Sequence, residues 1–114
     1  NGKEIGDKLL SIGEKSLLNL KEVSGSDLNI GIAVKDSSLA EITNLYLKNT
    51  NFDVAVFQKK PFFGPSKLLV HNMIDYSSSQ NKILVADNNI LNINQKFEPI
   101  FGTSLDIENL LYAK

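Results

Sequence analysis

The sequence predicts an α+β domain with an N-terminal amphipathic helix, a second short helix, a four- to five-stranded antiparallel sheet and a C-terminal helix. Three observations carry this reading. Apolar residues recur at helical spacing near the start, the pattern changes to period two from Phe52 onward, and a capping signature follows the last apolar run. At 114 residues, 42% hydrophobic and 22% charged, the chain has the length and composition of one globular domain.

The first helix is expected over residues 3–23, where Ile5, Leu9, Ile12, Leu17 and Leu20 form a stripe that Leu10 and Leu18 widen. Gly6 and Gly13 weaken it, so packing on the domain or against a second copy must stabilise it. Residues 24–27 (Ser-Gly-Ser-Asp) end it, and residues 28–34 then suit a strand or an extended connection. Ser38 and Glu41 form a capping-box pattern for a helix over 39–49, burying Leu39, Ile42, Leu45 and Tyr46.

Alternation of Val54 and Val56 with Ala55 and Phe57 marks the clearest strand. Pro61, Gly64 and Pro65 force a turn after it, and further strands are expected at 67–74, 82–86, 90–93 and 97–101. Short connections of turn residues between them predict antiparallel neighbours. Thr103 and Asp106 open a last helix over 104–113. No internal repeat stands out. The domain divides into an N-terminal helix (1–23), an α/β core (28–101) and an exit helix (103–114).

Chemistry is sparse. All twelve basic residues are lysines scattered along the chain, which argues against a nucleic-acid partner. The absence of cysteine removes disulfides, thiolate zinc sites and cysteine nucleophiles. His71 is the single histidine, so neither a metal centre nor a catalytic triad is expected, and neither a catalytic residue nor a cofactor is assigned. The sequence opens on Asn1 with its only methionine at Met73, the pattern of a processed product or an excised piece. No stretch has the apolar length of a membrane span, which places any membrane attachment in flanking segments.

Two stretches carry a family resemblance. Residues 36–57 (DSSLAEITNLYLKNTNFDVAVF) are similar to a short helix leading into the opening strand of the extracytoplasmic Cache sensor domains, which have a PAS-like core. Residues 101–111 (FGTSLDIENLL) resemble their closing strand and exit helix. This likeness implies a periplasmic, ligand-sensing or signal-relaying domain of a bacterial membrane receptor (a chemoreceptor, histidine kinase or cyclic-dinucleotide enzyme), homodimeric through its first helix. A small-molecule ligand would then sit over the sheet, walled by Phe57, Phe62, Phe63 and Tyr76, with His71 and Asn72 supplying hydrogen bonds. The alternative is a protein-interaction or assembly module of an envelope complex.

Overall fold

The computed structural model describes residues 6–60, 63–75, 82–94 and 99–112. Among these residues lie seven strands and one helix: β1 (Gly6–Ile12), β2 (Leu17–Lys35), β3 (Leu39–Phe57), β4 (Lys67–Asp75), β5 (Ile83–Ala86), β6 (Ile90–Ile93), β7 (Ile100–Gly102) and α1 (Ser104–Tyr112). Every strand pairing among the described residues is parallel. This corrects the expected antiparallel sheet and both expected N-terminal helices.

The register shows how parallel strands coexist with short connections. Where β1 residues are paired, the partner lies 22 residues downstream in β2, and paired β2 residues likewise meet β3 22 downstream, as in Leu10 with Ile32 and Ile32 with Val54. The chain therefore winds as a coil, and each strand meets the next turn of the coil rather than the next strand in sequence. Below β3 the offset becomes 28 toward β4, because the turn that occupies residues 36–38 is enlarged to 58–66 in the following rung, and it is 29 toward β5. This arrangement is a parallel β-solenoid.

Corners recur at the same interval. Asp27 and Asn49, 22 residues apart, both take left-handed backbone conformations (φ 58° and 56°), as do the pairs Glu14–Lys15 and Asp36–Ser37. Asp and Asn reach this region at less cost than most residues, since their short side chains bond locally. Between the corners the inward side chains of β3 are Ala40, Ile42, Leu45, Leu47, Val54 and Val56, all at most 1% exposed and all in one interior cluster with Ile32, Val34, Leu68, Val70, Ile83 and Val85. The step of three between Ile42 and Leu45 marks a further bend within the strand. That step explains why the sequence imitates a helix. A bent strand places inward residues at intervals of two, three and two, and over ten residues this resembles the spacing of a helical stripe.

A hydrogen-bonded ladder holds the turn that precedes each rung. Ser16 N–H donates to Ser38 Oγ (3.2 Å), Ser38 N–H to Ser66 Oγ (3.0 Å) and Ser66 N–H to Asn89 Oδ1 (2.7 Å). Ser38, Ser66 and Asn89 are buried, so each acceptor satisfies an amide that the ladder would otherwise leave bare. Ser38 is thus a rung-to-rung connector and not the cap of a helix. Replacing Ser66 with alanine leaves the buried Ser38 amide without its acceptor and is expected to cost about 1–2 kcal/mol, read as a lower urea midpoint at unchanged slope. A change under a few tenths of a kcal/mol would show that the ladder is incidental.

The C-terminal helix forms where the sequence places it. Thr103 N–H donates to Asp106 Oδ2 (3.2 Å) and Asp106 N–H to Thr103 Oγ1 (3.1 Å), the reciprocal capping box. From there α1 lies across the outside of the side built by residues 28–35, 50–57 and 83–86. Ile107 and Leu111 close over Ile30, Ala33, Ala55, Phe57, Leu84 and Ala86 as a second apolar cluster. At its far end the Asn29 amide donates to the Leu111 carbonyl (3.1 Å), and the Lys8 ammonium sits 5.2 Å from the centre of the Tyr112 ring.

Candidate functional site

With one outer side sealed by α1, the side formed by residues 17–21, 39–43, 67–71 and 90–92 is covered by no helix among the described residues. Strand alternation turns Leu18, Leu20, Ala40, Ile42, Leu68, Val70, Leu91 and Ile93 inward and leaves the intervening residues outside. Parallel register stacks the outward residues in columns. One runs Leu17, Leu39, Lys67, Ile90, and the next runs Asn19, Glu41, Leu69, Asn92. Neighbours within a column lie about 4.8 Å apart, so the result is a flat grid. Its three aliphatic residues in the first column are strongly exposed: Leu17 76%, Leu39 45% and Ile90 54%.

Polar groups border the grid. His71 Nε2 and Glu41 Oε2 lie 2.6 Å apart across adjacent rungs, both half-exposed, and Asn72 Nδ2 donates to Asn44 Oδ1 (3.1 Å) at the corner beside them. A second amide pair lies at the next corner, where Asn51 Nδ2 donates to Asn29 Oδ1 (3.0 Å), and beside it Asn49 Nδ2 donates to the Asp27 carboxylate (3.1 Å). Glu41, expected as a helix cap, therefore serves as the partner of His71.

Of the residues expected to form a small-molecule pocket, the described Phe57 does not meet His71 and Asn72. Phe57 is fully buried beneath α1, on a different side of the coil from His71 and Asn72. Phe63 is half-buried in the enlarged turn, where its carbonyl accepts from Gln58 Nε2 (2.6 Å). Phe62 and Tyr76 lie outside the described residues. Parallel pairing is the physical cause: it moves residues adjacent in sequence onto different sides of one coil.

Two grooves follow the turns. One, of about 460 Å³, runs between Gln58, Lys59, Asp87, Asn88 and the start of α1. Another, of about 320 Å³, lies among Gly13, Glu14, Lys35, Asp36, Lys59 and Lys60. Here the buried Asp36 Oδ1 accepts from the Lys59 and Lys60 amides (2.8 and 2.9 Å), which fixes the start of the enlarged turn. Glu14 and Lys60 form an ion pair across it. Hydrogen bonding to Lys60, and then its charge, hold the Glu14 carboxyl below its ordinary range, while Glu14 raises the Lys60 ammonium by the same two effects. Both groups are solvated, so this pair orients the turn and adds little stability. Among the described residues no group of three His, Asp or Glu side chains can hold a metal ion, and no helix is long and apolar enough to cross a membrane.

Comparison with protein-family models, with curated proteins and with solved structures finds no match for this chain.

Proposed function

We propose that the chain is a non-catalytic binding module, a rigid β-solenoid whose uncovered outer side docks a protein partner. The observation that carries this reading is the asymmetry between the two outer sides. An amphipathic helix covers Ile30, Ala33, Ala55 and Leu84 on one, with Phe101, Leu105 and Leu110 left exposed on β7 and the helix itself, whereas the other side has no covering helix among the described residues and presents Leu17, Leu39 and Ile90 in one column. Exposed aliphatic residues scattered singly are ordinary, but a column of three, interrupted only by Lys67 and bordered by polar groups, has the mixed composition of a recognition surface. The His71–Glu41 pair, Lys67 and the Asn ladder supply directional contacts around it. Of the two functions that the sequence suggests, the assembly module is the one this surface favours. The sensor reading draws on an antiparallel sheet and a pocket between Phe57 and His71, and neither is part of this fold.

The triple substitution Leu17→Gln, Leu39→Gln, Ile90→Gln, which adds no charge beside Lys67, tests the proposal. All three side chains point outward, so stability is expected to change by less than about 0.5 kcal/mol per site. Affinity capture with both forms, compared quantitatively, is expected to lose a defined set of proteins with the variant. An unchanged set from a variant that melts like the parent would refute the assignment.

A further inference from the structure

The covered and uncovered sides of the coil carry complementary patterns. On the uncovered side the column Ile90, Lys67, Leu39 sets an ammonium between two exposed aliphatic side chains. On the covered side α1 turns Ile107 and Leu111 toward the coil, and helical periodicity carries Leu105, Glu108 and Tyr112 onto its outer surface as a stripe at i, i+3 and i+7. Leu105 is 66% exposed and Tyr112 40%. This stripe sets a carboxylate between two apolar side chains, the inverse of the column.

The spacings agree as well. Parallel strand spacing places Lys67 about 4.8 Å and Leu39 about 9.6 Å from Ile90 along the coil. The helical rise places Glu108 about 4.5 Å and Tyr112 about 10.5 Å from Leu105 along α1. All three positions match to within about 1 Å, whereas alternate residues of a strand, about 6.8 Å apart, fall out of step at the second position. Neither Lys67 nor Glu108 forms an ion pair among the described residues, and Glu41 in the adjoining column is held by His71. Each of the two charges is therefore open to a partner.

We infer that the uncovered side docks α1 of a second copy of this chain, with Leu105 on Ile90, Glu108 on Lys67 and Tyr112 on Leu39. This rests on the docking role proposed above and names the partner. Column and helix are different surfaces, so the contact is heterologous: a copy bound through its column still presents its helix, and copies add head to tail. The patch is small, which makes the contact weak and visible only as the concentration approaches millimolar.

Sedimentation of the full chain from micromolar to millimolar concentration tests this. The parent is expected to gain mass with concentration, and the labelled chain to show amide shifts at Leu39, Lys67 and Ile90 and along residues 105–112 over the same range. Lys67→Glu sets like charges against Glu108, and Glu108→Lys does so against Lys67; each variant alone is expected to associate at least about tenfold more weakly. Mixing the two restores opposite charges at both kinds of contact, so association is expected to return to the parent's level. Neither position belongs to the core, and each variant should melt like the parent. A parent that stays monomeric at millimolar concentration overturns the inference, as does a mixture that associates no better than its components. The glutamine triple variant judges the docking face separately: if it loses captured proteins while the parent is monomeric, the face stands and the second copy is not its occupant.

Discussion

Phe57→Ala is expected to destabilise the protein by about 3–5 kcal/mol, the largest loss from any single substitution argued for this chain. The ring is fully buried between the outer side of the coil and α1, where it meets the cluster formed by Ile30, Ala55, Leu84, Ala86, Ile107 and Leu111. Alanine removes most of that volume. The helix cannot settle into the gap freely, because both of its ends are fixed: Gln58 N–H donates to Ser104 Oγ (2.9 Å) at one and Asn29 donates to the Leu111 carbonyl at the other. A cavity therefore remains, and its cost adds to the lost transfer energy. Since a domain of this size has only about 5–15 kcal/mol of stability, the variant should unfold at a much lower denaturant midpoint. A loss below about 1 kcal/mol would mean that α1 does not seal this side, and the contrast with the uncovered side would fall with it.

Phe57 also shows where sequence reasoning succeeds and where it stops. The alternation around it identified a strand, and the strands expected at 67–74, 82–86 and 90–93 correspond to β4, β5 and β6. Thr103 and Asp106 located the capping box because capping is local: three residues contain the whole interaction. What local pattern cannot give is the partner of each strand. A short polar connection is the signature of a hairpin, but in a solenoid the same connection turns a corner, and the pairing partner lies one full rung away. The 22-residue interval was present in the sequence. Asp27 and Asn49, Ser16 and Ser38, and the segments Ile32-Ala33-Val34 and Val54-Ala55-Val56 all repeat at that distance. These are the corner, ladder and core positions, and a comparison of the chain with itself at that offset would have exposed them. The repeat is hard to see further on because the offset is no longer constant: it is 28 from β3 to β4, 29 from β3 to β5, 23 from β4 to β6 and 16 from β5 to β7.

The candidate site was legible only in part. His71 and Asn72 do reach the outside of the coil, on the uncovered side and at its corner. The aliphatic column beside them was not foreseen, since Leu17, Leu39 and Ile90 are far apart in sequence and come together only through parallel register. In a helical reading, Leu17 and Leu39 belong to buried stripes. Their exposure follows from one fact of geometry: in a strand the residue next to an inward one must point outward.

Gly31→Ala is the second large effect, and it tests the register itself. In most strands alanine is preferred to glycine, because it restricts the unfolded chain and adds a side chain to pack. Here the sign reverses. A Cβ at position 31 would lie 2.5 Å from the carbonyl oxygen of Asp53, with the Leu47 methyl groups at 2.8 and 3.0 Å. Leu47 could rotate, but the Asp53 carbonyl is backbone, held between the pairs Ile30–Phe52 and Ile32–Val54. Relief requires the two rungs to separate, which stretches the ladder on both sides of the substitution. A destabilisation of about 2–3 kcal/mol is expected, at the upper end of what overpacking costs. The equivalent position one rung down tolerates a side chain: Asp53 is buried there and accepts from the Thr50 hydroxyl, while its amide donates to the Lys82 carbonyl (2.8 Å). That rung opens because β5 begins only at Ile83. Gly13→Ala is the matched control, since its new Cβ meets nothing closer than the flexible stem of Lys35 at 3.1 Å, and its stability should stay within about 0.5 kcal/mol of the parent. Equal melting temperatures for the two alanine variants would mean that Gly31 and Asp53 are not stacked, and the 22-residue coil would have to be abandoned.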